Sequence, residues 1–191
     1  MTTTRAERPL TPAGVRLRDA ASDLFYRHGI TAVGVELVAE RAGVTKKTLY
    51  DRFGSKEGLV VAYLEHRCRR WQEYVEAWLA DSPATGVERV VEPFRALAAW
   101  MADNDRGCGF ANAYAELAGT GHAGLEVIAT EKRWVRGLYA GLAAEAGLPE
   151  PERVGVRLAL LHDGAIVHAT AGRHDDAVAE ALETARLLVG G

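Results

Sequence analysis

The stretch Val35-Glu-Leu-Val-Ala-Glu-Arg-Ala-Gly-Val-Thr-Lys-Lys-Thr-Leu-Tyr-Asp-Arg-Phe53 decides the fold. Val35, Val38, Ala39 and Ala42 share one face of a short helix, and Lys46 to Phe53 form a second. Two helices that cross closely need a small residue where they touch, which Ala39 supplies. They need a sharp turn between them, which Gly43 supplies, and apolar anchors on both sides of it, which are Val38, Val44 and Leu49. Thr45, Lys46, Lys47, Thr48, Tyr50 and Arg52 remain for the outer face of the second helix. A helix with such a face suits the DNA major groove, about 12 Å wide. An ordinary helical hairpin with a solvated face explains the small residue and the glycine equally well, but not the run of hydroxyls and lysines.

Outward from this core the chain reads as all-α. Leu17, Ala20, Ala21, Leu24 and Phe25 define a helix after Pro12 that stops at Gly29. Ser55 can cap a long fourth helix from Lys56 to Ser82-Pro83. Further helices are expected over about 85–104, 110–118, 125–146, 152–171 and 175–189, punctuated by Gly119 to Gly124, Gly147, Pro149, Pro151 and Gly172. That makes about nine helices and no alternating strand pattern. The expected organisation is an N-terminal three-helix, homeodomain-like helix-turn-helix domain (1–58, with the motif at 35–53). A helical-bundle regulatory domain (59–191) follows without a flexible linker.

Composition narrows the function. Hydrophobic residues make up 48% and charged residues 26% of 191 residues, a globular balance. No apolar run is long enough to span a membrane, and the stretch Met1 to Pro12 is polar without a signal core, so a cytoplasmic location is expected. The net charge of −3 hides an asymmetry. Residues 1–60 are basic and residues 61–191 acidic, as expected if only the first third meets a polyanion. Cys68 and Cys108 lie far apart in sequence, and the histidines are scattered. No metal site or cofactor is expected, and no triad, phosphate loop or metal pattern points to an enzyme.

His28-Gly29-Ile30, Val44-Thr45-Lys46-Lys47-Thr48-Leu49-Tyr50-Asp51-Arg52-Phe53 and Ser55-Lys56-Glu57-Gly58-Leu59 resemble the DNA-binding domain of the tetracycline-repressor (TetR) family over about residues 12–60. Gly107-Cys108-Gly109-Phe110, followed by Asn112 and Glu116, is similar to the regulatory domain of one subgroup. The resemblance implies that Thr45, Lys46 and Lys47 lie near base edges and that Thr48, Tyr50 and Lys56 meet phosphates. Tyr50 can donate its hydroxyl, and Lys56 opens a helix whose amides favour anions. Val33-Gly34 stands where many members carry hydroxyl residues, so Gly34 can cap the second helix only through its backbone.

The resemblance also implies a homodimer built by the last two helices, with Leu158, Leu161, Ala165, Ala169, Ala181, Leu182 and Ala185 at the interface; packing inside one chain is the alternative. A ligand cavity between helices is expected among Trp71, Tyr74, Trp78, Trp100, Phe110 and Trp134, with Asn112, Glu116, His162 and Asp163 as polar candidates. The expected partners are palindromic double-stranded operator DNA, a second copy of the chain and a small, largely apolar effector that releases a repressor. A DNA-binding regulator without such an effector is the alternative. The groove assignment predicts that replacing both Lys46 and Lys47 by alanine weakens operator binding. The log–log salt slope should fall by about 0.9 for each phosphate interaction removed. Unchanged affinity and slope in a filter-binding or anisotropy titration would contradict it.

Overall fold

A computed structural model describes residues 10–190; the expectation drawn from the polar stretch at residues 1–12 falls largely outside them. Among the described residues the chain forms nine helices: α1 (Pro12–His28), α2 (Val35–Arg41), α3 (Lys46–Phe53), α4 (Lys56–Asp81), α5 (Gly86–Ala102), α6 (Gly109–Leu117), α7 (Gly124–Glu145), α8 (Pro151–Thr170) and α9 (Ala177–Gly190). Among the described residues, no helix is long and apolar enough to cross a membrane. The chain divides into two compact units after Glu65, inside α4. The sequence reading places that boundary after residue 58.

In the first unit, Leu17, Val38, Leu49, Leu59 and Leu64 are completely buried. Phe25 meets the ring of Tyr63 edge-on at 5.7 Å. Leu59, Val60, Tyr63 and Leu64 all belong to the opening turns of α4, which is why these turns fold with the first unit. Thr11 caps α1 by accepting from the amide of Gly14 at 3.3 Å, with Pro12 in the first turn. Arg16 Nε donates to the carbonyl of Ala42 at 3.1 Å, tying α1 to the end of α2. Gly43 turns the chain between α2 and α3 at φ 62°, a conformation glycine adopts without strain.

The second unit is a helical bundle. α8 packs between α7 and α9, and α5 packs on both α7 and α9. The α7–α8 crossing is close because Gly155 has no side chain: a Cβ there would lie 2.7 Å from the carbonyl oxygen of Arg136 and 2.8 Å from Cβ of Ala140. Gly164, on the same helix, faces open space. Leu158, Ala165, Ala181 and Ala185 are buried in this unit's own core, whereas Leu161, Ala169 and Leu182 are half-buried against it. Of the two readings of these faces, packing within one chain therefore accounts for the first four. The apolar residues that α8 and α9 leave exposed are Val156, Leu160 and Val167 on the one and Leu187 and Leu188 on the other.

Gly58 sits where the start of α4 meets the end of α3, and a Cβ there would fall 2.1 Å from the carbonyl oxygen of Phe53. Gly-to-Ala inside a helix ordinarily stabilises by about 1 kcal/mol. Gly58→Ala should do the reverse and lower the urea midpoint, whereas Gly137→Ala, on α7 with nothing within 4 Å, should raise it. A stabilising Gly58→Ala would contradict this packing.

Candidate nucleic-acid interface and inner cavity

The outer face of α3 follows from how little of the helix is held. Leu49 is its one buried residue. Thr45 caps it: its hydroxyl accepts from the amide of Thr48 at 3.2 Å and lies 2.9 Å from the Thr48 hydroxyl. Lys46, Lys47, Tyr50 and Arg52 are exposed, Thr48 half-buried. Both lysines are engaged within the unit. Lys46 pairs with Glu36 at the start of α2, and Lys47 Nζ donates to Asp51 Oδ2 at 2.7 Å. The Glu36 hydrogen bond raises the Lys46 ammonium above its ordinary pKa and lowers the Glu36 carboxyl. Solvent-exposed pairs of this kind add little to stability and yield readily to a phosphate. Gly34 caps α2 in extended conformation without a side-chain hydrogen bond. At the start of α4, Ser55 Oγ accepts from the amide of Gly58 at 3.0 Å, and Lys56 is half-buried beside it.

The second unit encloses a cavity of about 40 Å³. Four of the expected ligand residues line it: Trp71, Trp100, Phe110 and His162. Tyr74, Trp78, Asn112, Glu116 and Trp134 lie outside that wall. Tyr74 packs on Trp100 at 5.1 Å, and the Trp78 indole donates to buried Glu92 at 2.8 Å. Asn112 is exposed and donates to the carbonyl of Arg106 at 2.8 Å. Glu116 is half-buried and Trp134 packs against the core.

Beside His162, the cavity is lined by polar groups that the sequence reading did not place at a ligand site: Arg67, Asn104, Cys108, Glu131 and Lys132. A signal for one was present. On α7, Ile128, Glu131, Val135, Tyr139 and Leu142 form the buried stripe, and Glu131 is its single charge. Glu131 is 3% exposed, and its Oε2 has no hydrogen-bond partner. Lys132 Nζ lies 3.4 Å from that oxygen but donates instead to Asp163 Oδ1 at 2.7 Å. Burial raises the Glu131 carboxyl above the usual carboxylate range, with Lys132 opposing. Burial alone would lower the Lys132 ammonium; Cys108, Glu131 and Asp163 around it raise it instead. Arg67 Nη2 donates to Asn104 Oδ1 at 3.2 Å. Among the described residues, no group of three His, Cys, Asp or Glu could hold a metal ion.

The profile for the bacterial regulatory proteins of the TetR family matches residues 17–63, the segment that contains α2, α3 and the first turns of α4. Beyond that segment, 95% of the chain superposes on 91% of a TetR-family transcriptional regulator from Streptomyces coelicolor, with a TM-score of 0.84 and 28% identity. Residues 17–63 thus match the TetR family, and the chain as a whole shares the fold of TetR-family regulators. A second TetR regulator structure, from Streptomyces avermitilis, covers 95% of the chain and 99% of its own length at TM-score 0.78 and 27% identity. An HTH-type transcriptional regulator of Mycobacterium tuberculosis is 35% identical over 98 residues, 47% of this chain and 48% of that protein. The chain thus spans about half the length of the regulator it matches in sequence.

His162 anchors the inner wall of this bundle. Its Nδ1 shares a hydrogen with the Tyr139 hydroxyl at 3.0 Å, and the rings of Trp71, Phe94 and Tyr139 surround it within 6.0 Å. Burial lowers its pKa from 6.5 to about 4; Asp163 opposes the shift and Lys132 adds to it. Between those two values the unfolded chain binds a proton that the folded chain refuses. Stability therefore falls as pH drops through that window, by up to about 3 kcal/mol at its foot. His162→Gln keeps a partner for the tyrosine and removes the titration. The decline in urea midpoint between pH 6.5 and 4.5 should become shallower in the variant, whereas an identical decline would assign acid sensitivity to other groups.

Proposed function

We propose that the chain is a cytoplasmic DNA-binding transcription regulator, not an enzyme. It works as a homodimer on a palindromic operator and is released from it by a small, largely apolar ligand. The observation that carries the DNA-binding part is the outer face of α3. The helix buries one residue and presents Lys46, Lys47, Thr48, Tyr50 and Arg52 outward. Its N-terminal threonine and lysines would read base edges, while Tyr50 and Lys56 would fix the register on phosphates. Gly34 would contribute only its backbone.

The homodimer rests on the exposed stripes of α8 and α9. Leu160 is 71% and Leu187 79% exposed. Val156, Leu160, Gly164 and Val167 recur at helical spacing, and the bare Gly164 would admit a close neighbour. Large aliphatic side chains grouped on two helices favour burial against a copy of themselves, and a two-fold pair of α3 helices would match a palindromic site.

Release by a ligand rests on α4. Its opening turns fold in the first unit, and its Arg67 and Trp71 line the cavity of the second. A ligand that favours the spacing unsuited to DNA would shift the equilibrium; about 1.4 kcal/mol of coupling corresponds to a tenfold loss of operator affinity. A second reading, a regulator without a small-molecule effector, is favoured by the cavity's size. Its 40 Å³ is far below the ~300 Å³ of an ordinary ligand pocket. The buried Glu131 oxygen that accepts no hydrogen bond favours the first.

Selection from a random double-stranded DNA library tests the reading. The expected product is an inverted repeat with half-sites about one helical turn apart. Leu160→Glu, which would bury an unpaired charge at the proposed interface, should yield monomers by light scattering and weaken binding to the repeat at least tenfold. A monomeric wild-type chain, or selected sites without symmetry, would contradict it.

A further inference from the structure

Beside the inner cavity, α6 and α7 form an outer groove of about 360 Å³, lined by Ala111, Tyr114, Leu125, Ile128 and Ala129. It is apolar apart from one residue, Lys132, which lines the inner cavity as well. Lys132 therefore stands between the two spaces. Its ammonium is held by Asp163 Oδ1 at 2.7 Å, with Cys108 Sγ at 3.7 Å and Glu131 Oε2 at 3.4 Å. It is 32% exposed, and a lysine's four-carbon stem swings outward easily. Behind it lies the Glu131 oxygen, which accepts no hydrogen bond.

We propose that the inner cavity and the outer groove are two halves of one ligand site gated by Lys132, and that its occupant is an elongated apolar molecule ending in a protonated amine that bonds to Glu131. This deepens the ligand-released reading and rests on it for the regulatory role. Alone, the inner cavity is too small for such a molecule. With the groove opened to it, the space falls in the usual range for small-molecule sites, about 300–1,000 Å³. The groove wall suits the apolar body, since Tyr114 is 56% exposed and Ile128 is buried at its base.

The head group follows from the chemistry of the inner end. A buried acceptor left without a donor is destabilising, more so when charged, and an amine supplies the missing donor. Trp71, Trp100 and Phe110 add aromatic faces, which attract cations. An incoming ammonium would take the place of the Lys132 ammonium near Glu131, leaving the local charge count unchanged while Lys132 turns to solvent. A carboxylate head would find Arg67 and Lys132 to pair with, but it brings no donor and would leave Glu131 Oε2 without a hydrogen bond.

Octylamine, octanol and octanoate are probes that differ only at the head. Binding to the full-length protein without DNA, read by tryptophan fluorescence and calorimetry at pH 7.5, should favour octylamine over both others by at least tenfold. Glu131→Gln should abolish that preference, bringing octylamine to the level of octanol. Ile128→Trp, which fills the groove, should remove binding of all three while Glu131 is intact. Tightest binding of octanoate, saturation by none of the probes, or an amine preference that survives Glu131→Gln would each overturn the proposal. Operator affinity is measured separately. An amine that binds through Glu131 yet leaves operator affinity unchanged supports the site and counts against ligand release, so the two failures remain distinct.

Discussion

Leu49 is the one side chain by which the fold holds α3, and much of the first unit is arranged around it. It is completely buried with Leu17, Val38, Leu59 and Leu64. A helix of eight residues is too short to be stable alone, so its existence depends on this packing and on the Thr45 cap. The same economy leaves the remainder of the helix available. Had α3 carried a second apolar row, one face of lysines, threonine and tyrosine would have been spent on packing. The turn at Gly43 and the close approach at Gly58 then fix where that face points within the unit.

The second unit solves a different problem. It buries polar groups inside a bundle and satisfies nearly all of them. Trp78 and Arg95 meet Glu92, Tyr139 meets His162, and Lys132 meets Asp163. Glu131 Oε2 alone is left over among the buried side-chain atoms described. An unsatisfied group in an otherwise satisfied core calls for an explanation, and a site completed by a ligand is one that also accounts for the cavity beside it.

The helices were largely legible in the sequence because their ends carry strong local signals. Thr11-Pro12, Thr45, Ser55 and Pro151 open helices, while Gly29, Gly54 and Gly147 close them. The face of α3 was legible because its two apolar residues, Leu49 and Phe53, stand four apart on one side and leave the other polar. The cavity wall was only partly legible. Aromatics at helical spacing identify a core but not which of them borders the inner cavity; Trp71 and Trp100 do, Tyr74 does not, and Trp78 lines a separate open pocket. Arg67, Asn104 and Lys132 reach the void through long-range packing that no spacing rule encodes. On α8 the periodicity gave the right helix but could not separate its core side from its bare side. Leu158 and Ala165 lie on the first, Leu160 and Val167 on the second.

Amide hydrogen exchange of the full-length protein, free and bound to its selected operator, tests the central claim most directly. The account predicts new protection on DNA binding at the α2 N-terminus around Gly34 and across residues 45–56. Protection elsewhere in the first unit should be weaker. Operator binding that leaves the amides of α3 unprotected, with protection confined to the second unit, would contradict it.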